Sequence, residues 1–578
     1  MEKQKWISDC LGRMTLEQKV GQLLVLGFCG PVITPDIKEL VEKYHVGGFR
    51  ISQGFRTMNL FNDVKPGEEP DEMTLKSLYF PAGKNRDYSS GIPIVSTPAE
   101  YAHTLNSLRS LAMEKNGGIP IHYTIDQEGS ASDDLLSGQR LFPHPMGLAA
   151  SGDPQLAYRV AKAIALQARE LGVNMIHSPA LDVNTNPRNP EIGTRAYSDR
   201  PDMVTEYALQ TLKGFAEHQL IATGKHFPGR GESEADAHWG LPTVHLGREE
   251  LLETHVKPYR AMIDAGLPAI MMAHSCYPAL GVDGPSGMSR DLIENFLRGE
   301  LRFRGVVTTD NMMMGGILKK YEMVEAIIRM LEAGCDLVLC RDESPIRARI
   351  CEAVLEAVQC GRIPERSLDE KVERILAMRY DMGLADNGGL VDEAAAGSAV
   401  NSESVCQTAE EAAEKSLLVR DCESLLPVSP DKKVLLVEQI FPTQTRCNNV
   451  YCHPGMLWEE MCRYSDQVYS VEIPNTPDEA DYERVRRRVE EADIIVTTNY
   501  YYHKTGEAIS DFVRELKTKK PVVVVTNTPY AFGAPEDFGT VLTCFNPGGR
   551  ECLNAVARAI FGLFRAGASL EINHGQEV

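Results

Sequence analysis

The sequence lacks any apolar run long enough to cross a membrane. Its first apolar stretch starts near Val20 and is strand-sized, whereas a membrane helix needs roughly 18 consecutive apolar residues. No positively charged leader with an apolar centre precedes that stretch. The sequence therefore predicts a cytoplasmic protein without a membrane partner.

Basic clusters are missing as well. The chain has 60 Lys and Arg residues against 81 Asp and Glu, which gives a formal net charge of -21. No dense Lys/Arg run interrupts this acidic balance, and a surface of that sign repels nucleic acid. We therefore expect no nucleic-acid partner.

Cysteine and histidine show no metal-binding arrangement. The 14 cysteines are scattered through 578 residues, none of them in a CxxC pair, and no Cys/His spacing suits zinc. Such a distribution is typical of reduced, mostly buried thiols. A phosphate loop of the GxxxxGK[ST] kind is absent too, which argues against nucleotide binding of that type.

Eight short apolar runs alternate with helical patterns between Val20 and Arg341. They read VGQLLVLGF, VGGFRI, PIHYTID, MIHSPALD, LIATGKHF, AIMMAHS, GVVTTD and DLVLCR. Several are continuous, as expected for parallel strands buried on both faces. Thr97, Pro98 and Glu100 form a capping-box signal for one intervening helix. The alternation predicts an α/β fold with an N-terminal (β/α)8 TIM-like barrel, and a doubly wound open sheet is the alternative.

A second region follows a change of composition around Gly388. The segment NGGLVDEAAAGSAVNSES is small and polar, which predicts a linker. Beyond it, KKVLLVEQ, QVYSVEI, ADIIVTTNY, KPVVVVTNTPY and GTVLTCF alternate with helical patterns and predict a C-terminal α/β sandwich domain with a mostly parallel sheet. The predicted units are 1–385 for the catalytic barrel, 386–402 for the linker and 403–578 for the C-terminal domain. The second domain could cover the cleft, mediate dimerisation or only stabilise the barrel.

Polar residues follow the apolar bodies of six consecutive predicted strands. They are Asp126, Asp182, Lys225 with His226, His274, Asp310 and Arg341. Active sites of such barrels lie at the carboxyl ends of the strands, so these residues predict a functional rim. The long loop after the second run contains FNDVKPGEEPDEM and FPAGKNRDYSSGIP, and we expect it to form a wall on the substrate side.

Two segments carry groups suited to glycoside cleavage. Asp310 in RGVVTTDNMMMGG could be a nucleophile, a general base, a metal ligand or a helix cap. The loop GKHFPGRGESEADAHWGLP, residues 224–242, contains Asp236 and His238. A glycosidase needs one group to attack the anomeric carbon and another to protonate the leaving oxygen. An imidazole held by a neighbouring carboxylate can donate and recover that proton near neutral pH, although Asp-x-His alone equally fits a surface histidine.

Several segments together resemble glycoside hydrolase family 3, specifically its β-N-acetylglucosaminidase branch. They are VGG at 46–48, IDQEG at 125–129, NPEIGTRAYSDRP at 189–201, KHFPGRGESEADAH at 225–238, AHSCYPAL at 273–280 and GVVTTDNM at 305–312. The resemblance runs from Met14 to Leu384 and extends loosely into the second domain. It implies a retaining exo-β-N-acetylglucosaminidase or hexosaminidase that acts on a carbohydrate with a terminal β-linked N-acetylhexosamine. It also implies that no metal or organic cofactor is needed.

The resemblance further implies roles for individual residues. Asp310 matches the nucleophile that forms a covalent glycosyl-enzyme, and His238 matches the acid/base, with Asp236 as its partner. The positions that match the binding of the terminal sugar are Asp126, Arg195, Lys225 and His226. We also expect Lys225 to lie beside the nucleophile and to keep it ionised.

The chain departs from the family pattern around the sugar pocket. The family usually reads IDQEGGRVxR where this chain reads IDQEGSASDDLL, so Ala131 and Asp134 stand where arginines are expected. Arg140 lies nearby and could compensate. In the loop, Arg230 replaces the usual histidine of PGHG, and Ala237 replaces a serine. The sugar specificity is therefore less firmly implied than the chemistry.

Three alternatives remain open at this point. The first is a β-N-acetylglucosaminide phosphorylase that uses the same residues, since a histidine donor does not repel phosphate and Arg230 adds positive charge. The second is a catalytically impaired sugar-binding homologue, suggested by the altered IDQEGSASDD segment. The third is an aldolase-like barrel with Lys225 as a Schiff base.

Overall fold

Two β-sheets organise the chain, one of eight strands and one of six. The computed structural model describes residues 2–53, 96–129, 133–135, 139–341, 346–440, 455–474, 476–501 and 509–573. The loop predicted to form a wall on the substrate side lies outside the described residues.

The eight-stranded sheet is a closed parallel barrel. Its strands are β1 (Leu24–Cys29), β2 (Gly48–Ser52), β3 (His122–Ile125), β4 (Met175–Ile176), β5 (Ile221–Phe227), β6 (Ala269–Met272), β7 (Val306–Thr308) and β8 (Val338–Cys340). Each strand pairs in parallel with its successor from β1 to β7, and β1 also pairs with β8. A parallel bridge between Thr308 and Leu337 joins β7 to the start of β8. The predicted barrel is confirmed, and the open-sheet alternative is wrong.

Helices surround this barrel in the order that the alternating pattern predicts. They are α1 (Glu2–Arg13), α2 (Leu16–Gln22), α3 (Pro35–Glu42), α4 (Pro98–Lys115), α5 (Pro145–Ala150), α6 (Pro154–Glu170), α7 (Pro201–Ala216), α8 (Lys257–Asp264), α9 (Gly315–Leu318), α10 (Met323–Ala333), α11 (Ile346–Gln359), α12 (Glu365–Asp381) and α13 (Leu384–Asn387). Leu251–His255 and Asp291–Glu300 are π-helical. Within the described ranges, no helix is both long and apolar enough to span a bilayer.

The capping box predicted at the start of α4 is present. The hydroxyl of Thr97 accepts a hydrogen bond from the backbone N–H of Glu100, and the Glu100 carboxylate accepts one from the backbone N–H of Thr97. Pro98 fills the first helical position, where its missing N–H has no intrahelical partner to lose. The prediction succeeds because capping depends on residues close together in sequence.

The six-stranded sheet has the order β11-β10-β12-β13-β14-β9. Its elements are α14 (Glu403–Ser416), β9 (Leu418–Asp421), β10 (Val434–Ile440), α15 (Met456–Cys462), β11 (Val468–Pro474), α16 (Glu479–Val489), β12 (Ile494–Thr498), α17 (Ser510–Lys517), β13 (Val522–Thr526), β14 (Thr540–Thr543) and α18 (Arg550–Ile560). The five predicted strands are parallel. The sequence reasoning missed β9, which pairs antiparallel with β14 at the edge of the sheet, because half of its four residues are charged.

The second sheet's region packs on loops at the carboxyl ends of the barrel strands. Met146, Tyr530 and Phe545 belong to a small buried apolar cluster between the two regions. The side-chain N–H of Asn184, just after β4, donates a 2.7 Å hydrogen bond to the Tyr530 hydroxyl. These contacts hold the end of the barrel where Arg195 lies.

Asp336, at the entrance to β8, is a buried charge centre of the barrel wall. Its carboxylate accepts hydrogen bonds from Arg298 at 2.7 Å, from Arg374 at 2.8 and 2.9 Å, and from the Val307 backbone at 2.8 Å. Asp336→Asn leaves two guanidinium groups poorly compensated, so we expect the free energy of unfolding to fall by about 3–5 kcal/mol. Urea denaturation followed by circular dichroism measures this loss.

The matched control is Asp381→Asn, which removes a surface pair with Lys3 and should cost less than about 1 kcal/mol. Burial alone would raise the pKa of Asp336, but Arg298 and Arg374 lower it below the ordinary value. The stabilisation by Asp336 is therefore present above the unfolded-state pKa and is lost as the pH falls through the lowered one. Equal losses in the two variants would contradict this role.

Candidate active site

The loop that follows β5 brings Asp236 and His238 into direct contact. Asp236 Oδ1 accepts a 2.7 Å hydrogen bond from the backbone N–H of His238 and lies 2.7 Å from His238 Nδ1. The Asp236 side chain is almost fully buried, while that of His238 is 15% exposed. The carboxylate of Asp236 thus fixes the orientation of the imidazole through Nδ1.

Glycines bring this loop against the segment that follows β7. The backbone N–H of Gly315 donates to the His238 carbonyl at 3.0 Å, and that of Gly316 donates to the Ala237 carbonyl at 2.9 Å. A Cβ on Gly315 would lie 2.6 Å from the His238 carbonyl oxygen, which no real side chain permits. The loop after β5 is thereby held close to the segment that begins with Asp310.

Asp310 follows β7 and lies among cationic and imidazole groups. One carboxylate oxygen accepts a 2.7 Å hydrogen bond from the Asn311 backbone, and the other lies 3.6 Å from Arg230 and 3.8 Å from His226. Burial alone would raise the pKa of Asp310, but His226, Arg230 and His274 bring it down to about 2. The carboxylate is therefore ionised at neutral pH, as a nucleophile must be.

The groups beside Asp310 differ from the predicted one. Lys225 was expected there, but its ammonium pairs with Glu128 and lies 3.3 Å from Asp126. The next residue, His226, is the one that lies 3.8 Å from Asp310. The expectation that Lys225 keeps Asp310 ionised is corrected: His226, Arg230 and His274 do so. Engagement of Lys225 by two carboxylates also argues against a Schiff-base role.

Glu128 joins three of the four predicted sugar-binding residues. Its carboxylate accepts hydrogen bonds from Arg195 at 2.9 and 3.1 Å and pairs with Lys225, which also reaches Asp126. Burial alone would raise the pKa of Glu128, but Arg195 and Lys225 lower it to about 2. Glu128 lies within the IDQEG segment, but the sequence alone indicates no role for it.

Asp182 fixes the loop that begins at the end of β5. The carboxylate is fully buried, lies 2.7 Å from His226 Nδ1 and accepts a 2.8 Å hydrogen bond from the Arg230 backbone. Burial raises its pKa, but His226 and Arg230 outweigh that effect and lower it. Asp182 therefore orients both groups that face Asp310.

Glu191 is the second residue that sequence reasoning missed. One of its oxygens lies 2.7 Å from Arg230, 3.2 Å from His238 Nδ1 and 3.8 Å from Arg195. Arg230 in turn lies 3.6 Å from Asp310. The seven predicted site residues consequently belong to one continuous network, which Glu128, Glu191 and Arg230 complete.

In the altered segment after β3, the carboxylate of Asp134 stands where the family pattern has an arginine. Asp134 pairs with Arg50 and lies 3.8 Å from Arg341. Arg50 also donates a 2.6 Å hydrogen bond to Asp126 and, together with Lys225 and against the effect of burial, holds the pKa of Asp126 well below its usual range. Ala131 lies outside the described residues.

Arg140 does not compensate for the missing arginines. Its guanidinium pairs with Glu551 in α18 and donates to the Val400 carbonyl at 3.1 Å. The residue is therefore a contact to the C-terminal region, and the suggestion that it restores the sugar pocket is wrong. Arg140 is close to the altered segment in sequence, but its side chain points toward Glu551 and Val400.

One set of groups within the described ranges could share a cation. The ligand atoms of Glu191, Asp236 and His238 lie within 4.8 Å of one another. The guanidinium of Arg230 already places a positive charge 2.7 Å from Glu191. This built-in cation already offsets part of the negative charge of the carboxylates, which weighs against a metal ion at this set.

Comparisons with known proteins agree with this geometry. The family model described as the glycosyl hydrolase family 3 N terminal domain matches residues 15–378. Beta-hexosaminidase A of Pseudoalteromonas piscicida is 27% identical over 404 residues, which cover 63% of this chain and 61% of that protein. The match thus spans less than two thirds of that relative's length.

Two further similarities extend over more of the chain. A beta-N-acetylglucosaminidase/beta-glucosidase of Cellulomonas fimi is 28% identical over 445 residues, covering 74% of this chain and 68% of that protein. The solved structure of a glycoside hydrolase family 3 beta-N-acetylglucosaminidase from Paenibacillus sp. str. FPU-7 superposes with a TM-score of 0.84 and 28% identity. That superposition covers 98% of this chain and 100% of the Paenibacillus chain.

Proposed function

Because the chain belongs to glycosyl hydrolase family 3, we propose that it hydrolyses O-glycosyl bonds as a retaining exo-β-N-acetylhexosaminidase. The substrate would be a carbohydrate with a terminal β-linked N-acetylhexosamine. The names of the Pseudoalteromonas, Cellulomonas and Paenibacillus proteins support this choice of sugar. The chain departs from the family pattern around Asp134, and this departure bears on sugar specificity. The experiment below therefore varies the substituent on the second carbon of the sugar.

The observation that carries the proposal is the linkage between Asp310 and His238. Asp310 lies 3.6 Å from Arg230, which contacts Glu191 at 2.7 Å, and Glu191 lies 3.2 Å from His238. The two groups that a retaining glycosidase requires are thus held in one assembly, at the end of the barrel where such enzymes act.

The proposed reaction proceeds in two displacements. The Asp310 oxygen that does not accept the hydrogen bond from the Asn311 backbone attacks the anomeric carbon. At the same time, Nε2 of His238 gives its proton to the departing glycosidic oxygen. The C–O bond to the leaving group breaks and a covalent glycosyl-aspartate forms. The neutral imidazole then takes a proton from water, whose oxygen attacks the anomeric carbon and releases Asp310. The sugar leaves with its original β configuration.

We assign the terminal sugar to Asp126, Arg195, Lys225 and His226. Lys225 and Arg195 are buried and share Glu128, so their donor groups are fixed before substrate arrives. Rigid donors lose little conformational entropy on binding, which favours tight recognition of one ring. Substrate hydroxyls would replace water at the exposed edge of Asp126.

A phosphorylase is the second candidate, and Arg230 is the observation that favours it. Its guanidinium lies near Asp310 and would attract phosphate as the acceptor. The pairing of Arg230 with Glu191 weighs against this reading because it offsets the charge. The third reading, a sugar-binding homologue without turnover, is disfavoured because both Asp310 and the Asp236–His238 pair are present and in contact distance of their partners.

A screen of aryl β-glycosides tests the proposal. We expect the 2-acetamido-2-deoxy-glucoside to be cleaved at least about tenfold faster, in kcat/KM, than its 2-hydroxy analogue, because a site built for the acetamido group recognises it in the transition state. The galacto epimer, measured alongside, reports how strictly the fourth carbon is read. A preference for the 2-hydroxy sugar would overturn the assigned specificity. Release of sugar 1-phosphate when phosphate is added would favour the phosphorylase, and no turnover of any glycoside would favour the binding protein.

A further inference from the structure

Glu191 contacts both His238, the proposed acid/base, and Arg230, the cation beside the proposed nucleophile. Its side chain is 2% exposed and its Oε2 accepts a hydrogen bond of 3.2 Å from the Ala237 backbone. The other oxygen is shared by Arg230 and His238. Burying a carboxylate costs free energy unless charged or hydrogen-bonding partners surround it. Here the partners serve different parts of the proposed reaction, since His238 is the proton donor and Arg230 lies beside the nucleophile.

The orientation of Arg230 depends on Glu191. Within the described ranges, Glu191 is the acceptor of a guanidinium hydrogen bond from Arg230, whose Nε and Nη1 are buried without one. Asn189 holds the two segments together, since its side-chain N–H donates to the Arg230 carbonyl and its oxygen accepts from the Glu191 backbone. Loss of the Glu191 charge would therefore free the guanidinium that lies beside Asp310.

We propose that Glu191 is a positioning residue that couples the acid/base to the nucleophile through Arg230. The inference rests on the proposed glycosidase function and deepens it. One carboxylate oxygen holds the imidazole through Nδ1, stabilises the imidazolium that donates the proton, and fixes the cation beside Asp310. The three groups act as a unit, so the effects of changing them should not add.

Charged and titratable groups from several elements of the described ranges surround His238. Asp236 comes from the same loop, Glu191 from the segment after β4, and Arg230 from the start of the loop after β5. Asp310 faces the set from the segment after β7, and Tyr501 approaches Asp236 from the second region. Arg195 lies 3.8 Å from Glu191.

The experiment compares Glu191→Gln with the wild type on aryl N-acetylglucosaminides of graded leaving-group ability. Glutamine keeps the shape and removes the charge. We expect kcat/KM to fall about 10–100-fold for poor leaving groups and less for good ones, because proton donation is impaired. The alkaline limb of the pH–rate profile should move about one pH unit lower, since an adjacent anion no longer favours the imidazolium.

A double-mutant cycle distinguishes coupling from a structural role. Arg230→Met should be harmful alone because it leaves Glu191 buried without its cation, and the double variant should lose less than the product of the two single losses. Multiplicative losses with an unchanged pH profile would overturn the proposal. Glu234→Gln, on an exposed residue of the same loop, is the matched control and should behave like wild type.

The outcomes separate this inference from the function beneath it. If wild type and the Glu234→Gln control cleave no glycoside, both the proposed function and the proposed coupling are contradicted. If they cleave the substrate and Glu191→Gln matches them in rate and pH profile, only the proposed coupling through Glu191 is contradicted. Should Glu191→Gln not fold, Glu191→Asp replaces it: the charge is kept and the reach shortened, so the rate should fall while the alkaline limb stays in place. A shift of that limb in Glu191→Asp would contradict the proposal.

Discussion

Asp310→Asn is expected to lower kcat on an aryl β-N-acetylglucosaminide by on the order of 10⁴-fold or more, the scale seen when a member of a covalent catalytic unit is removed. The amide has nearly the same shape but is a poor nucleophile, so no glycosyl-enzyme can form. Initial rates with and without enzyme measure the loss. Activated leaving groups should not restore the rate, because the defect lies in attack on the anomeric carbon and not in protonation.

Mass spectrometry provides a second measurement on the same residue. Wild-type enzyme quenched in acid during turnover should carry one added glycosyl residue on the peptide that contains Asp310, and the variant should carry none. Asp283→Asn, on an exposed loop after β6, is the control and should retain wild-type rates. A glycosyl adduct on another residue, or full activity in the Asp310 variant, would remove Asp310 from the nucleophile role.

The pH dependence of the wild type follows from the charge around Asp310. Its pKa is about 2 because His226, Arg230 and His274 offset the effect of burial. The carboxylate therefore stays ionised as the pH falls to roughly 4, and an acidic limb of kcat/KM above that pH must come from another group. Because Asp310 is ionised across the neutral range, the proposed mechanism leaves proton transfer by His238 as the step expected to set the alkaline limb.

The barrel was predictable because its signals are local and repeated. Eight apolar runs recur at the spacing of strand–helix units, and polar residues follow six of them and collect on the carboxyl rim. The edge strand β9 was missed because an exposed strand needs no apolar run, and Leu418 to Asp421 has two charged residues among its four. The domain boundaries and the cytoplasmic location remain predictions.

The candidate site was predictable where motif spacing fixes geometry. Asp236 and His238 are two residues apart, so a tight turn suffices to join them. The partners of Asp310 were not predictable, because Lys225 and His226 both enter the site and the sequence does not show which of them lies beside Asp310. Glu191 escaped notice because its importance comes from contacts across 39 or more positions in sequence, which no local pattern reveals.

His238→Ala should reveal the proton donor through its dependence on the leaving group. We expect kcat/KM to fall about 10²–10⁴-fold for aryl N-acetylglucosaminides whose phenol has a high pKa, because the departing oxygen then needs a proton that alanine cannot supply. A nitrated phenol leaves as a stable anion, so attack by Asp310 should proceed at a rate close to that of wild type. Plots of log kcat/KM against the phenol pKa should therefore be steeper for the variant.

Two features separate proton donation from general damage to the site. The alkaline limb of the kcat/KM profile should disappear in His238→Ala, since the group that titrates there is gone, whereas a structural defect would lower the rate and leave the limb in place. His103→Ala, which removes an imidazole that is 68% exposed and pairs with Glu393, should change neither slope nor profile. Equal losses for good and poor leaving groups would assign the proton to another residue. Because Nδ1 of His238 lies within 3.2 Å of two carboxylates, which favour the protonated imidazole, the geometry favours the steeper slope.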